Sequence, residues 1–452
     1  MQNSLKNLTK AKQKSASDLS TLMQDILDRA RKQGATDAAV SVNHDSGFSV
    51  DVRMKDVETV SFNEDKGVSL VVYIGHRKGA ASSTDTSPQA LDNLVKAAYE
   101  IAQVSAEDKC FGLADRDLLT NEYPELDLSH PWDINPTEAI EMALDCEAQA
   151  LAYDKRIKNS DGVNLSTYNF MHGYANTYGA LGVIDGTRHS ISCSLIAQEG
   201  ESMQRDYDYT TARHANDLSS LKHLAESTVQ RTVSRLGAKQ VKTQKVPVLF
   251  SSRISSGILS SLINAISGSN LYRKNSFLLD ALDQRIFPTN IKIYEQPHLL
   301  KGLGSSPFDG EGVPTRNNIF VEDGYLRQYV LSSYSARRMG LKTTANSSGV
   351  HNLTINPTAG NLDDLIKQMD KGLLVTELMG QGVNVLTGDY SRGASGFWVE
   401  NGAIQFPVEE VTIAGNLKNM FLAIQAVGND FNPNIATRCG SILIDGLTVA
   451  GH

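Results

Sequence analysis

Hydrophobic positions change period several times along this chain, and each change marks an element. In "SDLSTLMQDILDRARKQG", Leu19, Leu22, Met23, Ile26, Leu27 and Ala30 recur at helical spacing, with Ser17 or Asp18 as cap and Gly34 as stop. "AAVSV", "GFSVDVRMKDVETVSF" and "GVSLVVYIGHRKGAASST" alternate apolar with polar and are β-branched, which predicts an antiparallel meander. Ser87-Pro88 opens a second helix, and Asn135-Pro136-Thr137-Glu138 a third, with cap, first-turn proline and N3 acid in order. Alternation returns over residues 157–210, and a fourth helix over about 216–236 stops at Gly237.

The texture then changes. "GAKQVKTQKVP" is basic, polar and poor in apolar residues, so it reads as a linker. Beyond it the chain is rich in glycine and hairpin signals. "IFVEDGYLRQYVL" and "FWVENGAIQFPV" carry Asp-Gly and Asn-Gly at their centres. "GNLDDLIKQMDKG" and "GNLKNMFLAIQAVG" predict short helices, and "RCGSILIDGLTVAG" closing strands. The expected fold is α+β, two domains with mainly antiparallel or mixed sheets. Residues 1–17 form a flexible N-terminus, 18–237 an N-terminal α+β domain, 238–247 a linker and 248–452 a β-dominated C-terminal domain.

Of the 452 residues 40% are hydrophobic, enough for substantial cores, and the net charge of -8 argues against direct nucleic-acid binding. No apolar run reaches the roughly 18 to 20 residues that span a bilayer. The four cysteines, Cys110, Cys146, Cys193 and Cys439, form no C-x-x-C pair. Free thiols and a polar N-terminus fit a cytoplasmic protein.

Several familiar chemistries are missing. Gly380-x-Gly382 lacks the third glycine of a dinucleotide loop, no G-x-S-x-G elbow occurs, and Ser219-x-x-Lys222 is a chance spacing in a serine-rich chain. The ten histidines form no H-x-x-x-H pair, although His298 and His351 are candidates to approach one another. Glu409 and Glu410 are consecutive and would face opposite sides of a strand. In "LTGDYSRGASGF", Asp389, Tyr390 and Arg392 crowd between glycines, as an ion pair holding a loop or as a peptide site. Cys439, beside Arg438, is the cysteine in the least ordinary setting. "VPVLFSSRISSG" ends an apolar strand in serines at a predicted helix start, where free N–H groups gather.

"YRKNSFLLD", "HLLKGLGSSPFDGEGV", "YVLSSYSARRMGLKTT", "VTELMGQGVNVLTGDYSRGASGFWVENGAIQFPVEEVTIAGNLKNM" and "CGSILI" closely resemble the PmbA/TldE branch of the TldD/PmbA family. The resemblance covers most of residues 245–450, and the first domain more loosely through "KGVSLVVYIGHRKGAASSTD". It implies cytoplasmic proteolysis of peptides such as modified-peptide precursors or an antitoxin; an older family label is modulator of DNA gyrase. TldD-type subunits of that family carry H-E-x-x-x-H at a strand-to-helix junction and a distant cysteine, which together hold zinc. Here those positions are Ser251, Ser252, Ser256 and Cys439, so the resemblance implies no catalytic residue and no metal in this chain. It implies instead a partner, a zinc-bearing TldD-like subunit, with a homodimer for the isolated chain. Peptide would bind by adding a strand to an open edge of the second domain. The alternatives are a gyrase-modulating regulatory protein and an autonomous enzyme using Cys439.

Overall fold

Strands in the first half run straight through the polar interruptions that suggested separate elements. A computed structural model of the chain describes residues 2–451, with side chains from residue 16 onward. Its first elements are α1 (Gln2–Gln33), β1 (Asp37–Arg53), β2 (Asp56–Ile74), β3 (Arg77–Ser83) and α2 (Pro88–Val104). α3 (Pro136–Tyr153), β4 (Ile157–Asn176), β5 (Leu181–Glu199), β6 (Ser202–Ala212) and α4 (Leu221–Ser234) follow. The expected flexible stretch, residues 1–17, falls for the most part outside the described side chains. "AAVSV" and "GFSVDVR" are one strand, β1, paired along its whole length with β2.

The six strands form an antiparallel sheet in the order β3-β2-β1-β4-β5-β6. One face is apolar. Val40 and Val42 pack under α1 and α2, and Val50 and Val52 under α3 and α4. Alternate residues of β1, among them Asn43, Asp45 and Asp51, face the other way and are polar. The turn between β1 and β2 places Met54 and Lys55 at φ of 49° and 70°. Glu147 of α3, fully buried, accepts both of their N–H groups at 2.8 and 2.7 Å. A helix carboxylate thus fixes a turn that two non-glycine residues would not adopt readily alone.

The second half contributes β7 (Gln244–Phe250), α5 (Ser256–Ala265), α6 (Gly268–Tyr272), β8 (Ile293–Glu295), β9 (Ile319–Glu322), β10 (Tyr325–Leu326) and α7 (Ser333–Met339). β11 (Leu353–Ile355), α8 (Leu362–Met369), β12 (Gly372–Met379), β13 (Asp389–Glu400), β14 (Ala403–Asn416), α9 (Leu417–Leu422), β15 (Ile424–Val427) and β16 (Ile442–Ala450) complete it. The Asp-Gly and Asn-Gly turns form as expected, with Asp323 and Asn401 at φ of 52° and 55°. A small sheet has the order β10-β9-β8-β11. The larger sheet, β14-β13-β12-β7-β16-β15, is mixed, because β7 and β12 are parallel.

That larger sheet also closes on itself. Thr412–Ala414 of β14 pair with Thr448–Ala450 of β16. Closure occupies part of the β14 edge that the sequence reading left free for a peptide strand, while β15 stays at the end of the sheet. Its inner side holds the main core, where Phe250, Phe287, Phe320 and Phe421 are all fully buried. Each such phenylalanine contributes about 1.5–3 kcal/mol. The two halves are in contact: Asn434, from the loop before β16, accepts the Thr211 N–H at 2.9 Å and donates to the Tyr209 carbonyl at 3.1 Å. β6, the last strand of the first sheet, is thereby covered by the far end of the chain. Among the described residues, no helix is long and apolar enough to cross a membrane.

Candidate functional site

β7 ends at Phe250, paired between Val375 of β12 and Ile442 of β16, and the chain turns directly into α5. Within this turn the Ser255 N–H donates to the Ser251 carbonyl at 2.9 Å. The two residues therefore lie one helical turn apart on the same side. Both are buried, and neither hydroxyl has a hydrogen-bond partner among the described residues. The Ser252 N–H donates to Ser441 Oγ at 3.0 Å, and that hydroxyl donates to Asp430 Oδ2 at 2.7 Å. The turn is thus tied to the chain entering β16.

Cys439 stands just ahead of this tie and is fully buried. Burial pushes its thiol up to about 12, against an opposing pull from the Ser255 hydroxyl. Gly440 has to lack a side chain: a Cβ there would lie 2.0 Å from the Gly428 carbonyl oxygen. Ser255 is the serine near enough to Cys439 to act on its thiol, although the two form no well-aligned hydrogen bond. Ser256, one residue further round the helix, is half-buried, and its carbonyl accepts the Ser260 hydroxyl at 3.0 Å. Sequence reasoning singled out Ser256 and missed Ser255. The i, i+4 spacing from Ser251 was the available signal.

These residues do not fit zinc. Two neutral hydroxyls and a thiol held protonated by burial are a poor donor set for an ion that prefers thiolate, imidazole and carboxylate. Among the described residues, no group of three or more His, Cys, Asp or Glu could hold a metal ion.

Arg253, between the serines, does something else. Its guanidinium meets Asp206 of β6 at 2.9 Å and donates to the Tyr207 carbonyl at 2.8 Å. It also lies 4.2 Å from the centre of the Tyr207 ring. Burial opposes its charge, but Asp206 and Tyr207 outweigh burial and hold it above the ordinary arginine value. Arg235 reaches the same carboxylate at 3.4 Å and Glu377 at 2.6 Å. The junction is therefore a clamp between the halves. Beside it runs a crevice of about 280 Å³ whose walls include Ser252, Arg253, Asp208, His223 and Ser219. Lys222 is drawn away toward Glu226, at 3.9 Å, so Ser219 and Lys222 form no catalytic pair.

The remaining candidates separate. Asp389 accepts the Thr387 hydroxyl at 2.7 Å and the Asn416 amide at 3.2 Å, which hold its carboxyl below the usual range. Tyr390 and Arg392 share the other face of β13. The Tyr390 hydroxyl is buried and pushed up to about 12 by desolvation, with Arg392 opposing. No Asp389–Arg392 ion pair forms. His298 and His351 do come near enough to influence one another electrostatically. Burial lowers both; His298 bonds Thr315 Oγ1 at 3.0 Å and His351 bonds the Gly304 carbonyl at 3.2 Å. The residue organising this region, Glu295, was not anticipated. Its buried carboxylate accepts from Asn318 at 2.6 Å, Asn346 at 2.9 Å and the His351 N–H at 2.7 Å. Glu409 and Glu410 bind different glutamines, Gln204 and Gln240, each at 2.7 Å.

Three family models match in succession: PmbA/TldA metallopeptidase domain 1 over residues 38–102, its central domain over 129–236 and its C-terminal domain over 243–451. The metalloprotease PmbA of Escherichia coli O157:H7 is 46% identical over 420 residues, 93% of each chain. A crystal structure from Bacteroides thetaiotaomicron, described as a candidate modulator of DNA gyrase, superimposes with a TM-score of 0.90 at 31% identity, covering 96% of this chain and 98% of that one. TldE from Thermococcus kodakarensis has the same fold, with a TM-score of 0.81 at 20% identity over 95% of this chain and 100% of that one.

Proposed function

We propose, for a chain that belongs to the PmbA/TldE branch of the TldD/PmbA metallopeptidase family, that it is the subunit without metal in a two-component cytoplasmic peptidase. A TldD-like partner supplies zinc and the general base, and this chain closes the chamber and positions peptide. The substrates are peptides, such as modified-peptide precursors or an antitoxin. The observation that carries the reading is the junction itself. Where the family pattern has two histidines and a glutamate, this chain has Ser251, Ser252 and Ser256, of which Ser251 is buried without a partner, and Arg253 is committed to holding the halves together. A neutral hydroxyl at Ser252 is no general base at neutral pH. The reading of Cys439 as a lone nucleophile is disfavoured by its burial and its raised pKa.

The test is purification of this chain alone, elemental analysis for zinc, and peptide cleavage measured with and without a TldD-like protein. The expected result is no stoichiometric zinc and cleavage only in the mixture. Stoichiometric zinc with cleavage by the lone chain would overturn the proposal.

A further inference from the structure

The polar face of the first sheet carries charges of both signs that do not meet. Asp45 of β1 and Asp65 of β2 are direct cross-strand partners, with Phe170 of β4 opposite Asp45 on the other side. Like charges so placed repel. Among the described residues, neither carboxylate has a hydrogen-bond or ion-pair partner, and both are exposed. Two residues along, Tyr168 of β4 is paired with Arg188 of β5. Arg188 also lacks an ion-pair partner among the described residues. Arg213 completes this side. It is only 7% exposed, and its guanidinium lies 5.0 Å from the centre of the Phe170 ring. Two of its nitrogens donate to the carbonyls of Thr187 and Leu303, at 3.0 and 2.9 Å, while its Nε has no partner.

All of these residues line one cavity of about 590 Å³, closed on one side by Leu303 from the second half of the chain. Its aromatic floor is fixed, because the Tyr168 hydroxyl accepts from Asn63 at 3.2 Å. The acidic and basic walls are held apart by the sheet. Strands are spaced about 4.8 Å apart and Arg188 lies two residues, about 7 Å, further along, so Asp45 and Arg188 stand roughly 12 Å apart and Asp65 and Arg188 roughly 16 Å. An extended peptide advances about 3.3–3.6 Å per residue, so about four to five residues span that gap.

The geometry points to this cavity as a binding site for short peptides with free ends: the terminal ammonium against Asp45 and Asp65, and the terminal carboxylate against Arg188 and Arg213. Phe170 and Tyr168 lie beneath the intervening residues. The site belongs to this chain alone and is separate from the serine junction. It would hold a fragment left by cleavage, or the end of a longer chain.

Isothermal titration of the full chain with tetraalanine, its N-acetylated form and its C-amidated form tests this. The assay contains no partner, so its outcome is independent of the two-component proposal. Free tetraalanine should bind, and each cap should weaken binding about tenfold or more, as expected when one end charge is lost. D45N/D65N should remove the discrimination against the acetylated peptide, and R188A that against the amidated one. Circular dichroism checks that each variant folds, and the R188A arm stands alone if the double variant does not. Equal affinity for all three peptides, or no saturable binding at millimolar peptide, would overturn the assignment.

Discussion

Replacing Arg253 by alanine should loosen the two halves of the molecule by an amount that can be worked from its contacts. The side chains of Arg253 and Asp206 are 14% and 9% exposed, so solvent screens their 2.9 Å pair little. Hydrogen bonds involving charged groups contribute about 1.5–3 kcal/mol each, and there are two, to Asp206 and to the Tyr207 carbonyl. The contact with the Tyr207 ring adds about 0.5–2 kcal/mol. Against this, Arg235 still reaches Asp206 at 3.4 Å, and freeing a long side chain returns about 1.5–2 kcal/mol of entropy. The net loss is about 3 kcal/mol, at the lower end of what removing one partner of a buried pair costs. For a unit of 150–250 residues this corresponds to a fall in Tm of roughly 6–12 °C. Urea unfolding of wild type, R253A, D206N and the double variant gives the coupling, expected at about 1.5–3 kcal/mol. R253K should be intermediate, since an ammonium lacks the fork that reaches carboxylate and carbonyl together. A loss below about 1 kcal/mol, or additivity in the cycle, would refute the clamp.

Iodoacetamide at neutral pH should label the half-buried Cys110 before Cys439, whose thiol is buried and pushed up to about 12; equal native labelling rates by mass spectrometry would contradict this. Glu147→Ala leaves the N–H groups of Met54 and Lys55 without their carboxylate and should cost about 2–4 kcal/mol, with faster amide exchange at both residues. His189 and His351 are lowered chiefly by burial, so the unfolded state binds the extra protons. Their contribution to stability is therefore full above the ordinary value of about 6.5 and falls as the pH drops through and below it. H189Q/H351Q should flatten the stability profile between about pH 6.5 and 5; an unchanged slope in urea titrations would refute the assignment.

Local signals in the sequence translated well into structure. The proline and cap at Asn135 form the full capping box with Glu138, and both glycine turns close their hairpins. Where the sequence misled, the cause was non-local. Polar Asn43, Asp45 and Ser46 looked like a break between strands, yet β1 continues through them because its neighbours on both sides supply an unbroken ladder. Closure of the larger sheet depends on two segments far apart in the chain, which no local pattern reports. Of the serine cluster, the burial of Ser251 followed from the apolar strand before it. The choice of Ser255 over Ser256 was set by the exact start of α5, and helix boundaries are the least legible feature of a sequence. The Arg253 clamp was invisible because Asp206 lies in the other half.

The cover over β6 has a consequence for how the protein is made. Asn434 binds Thr211 across 223 positions of sequence. A ribosome adding about 5–20 residues each second takes roughly 10 to 45 seconds to cross that interval. Throughout it, the first sheet can be complete while its last strand has no neighbour on the outer side. An uncovered strand is a template for other chains, including those emerging from adjacent ribosomes. The acidic and hydroxyl side chains along β6, Asp206, Asp208, Thr210 and Thr211, fit that exposure, keeping the edge soluble until the tail of the same polypeptide arrives to cover it.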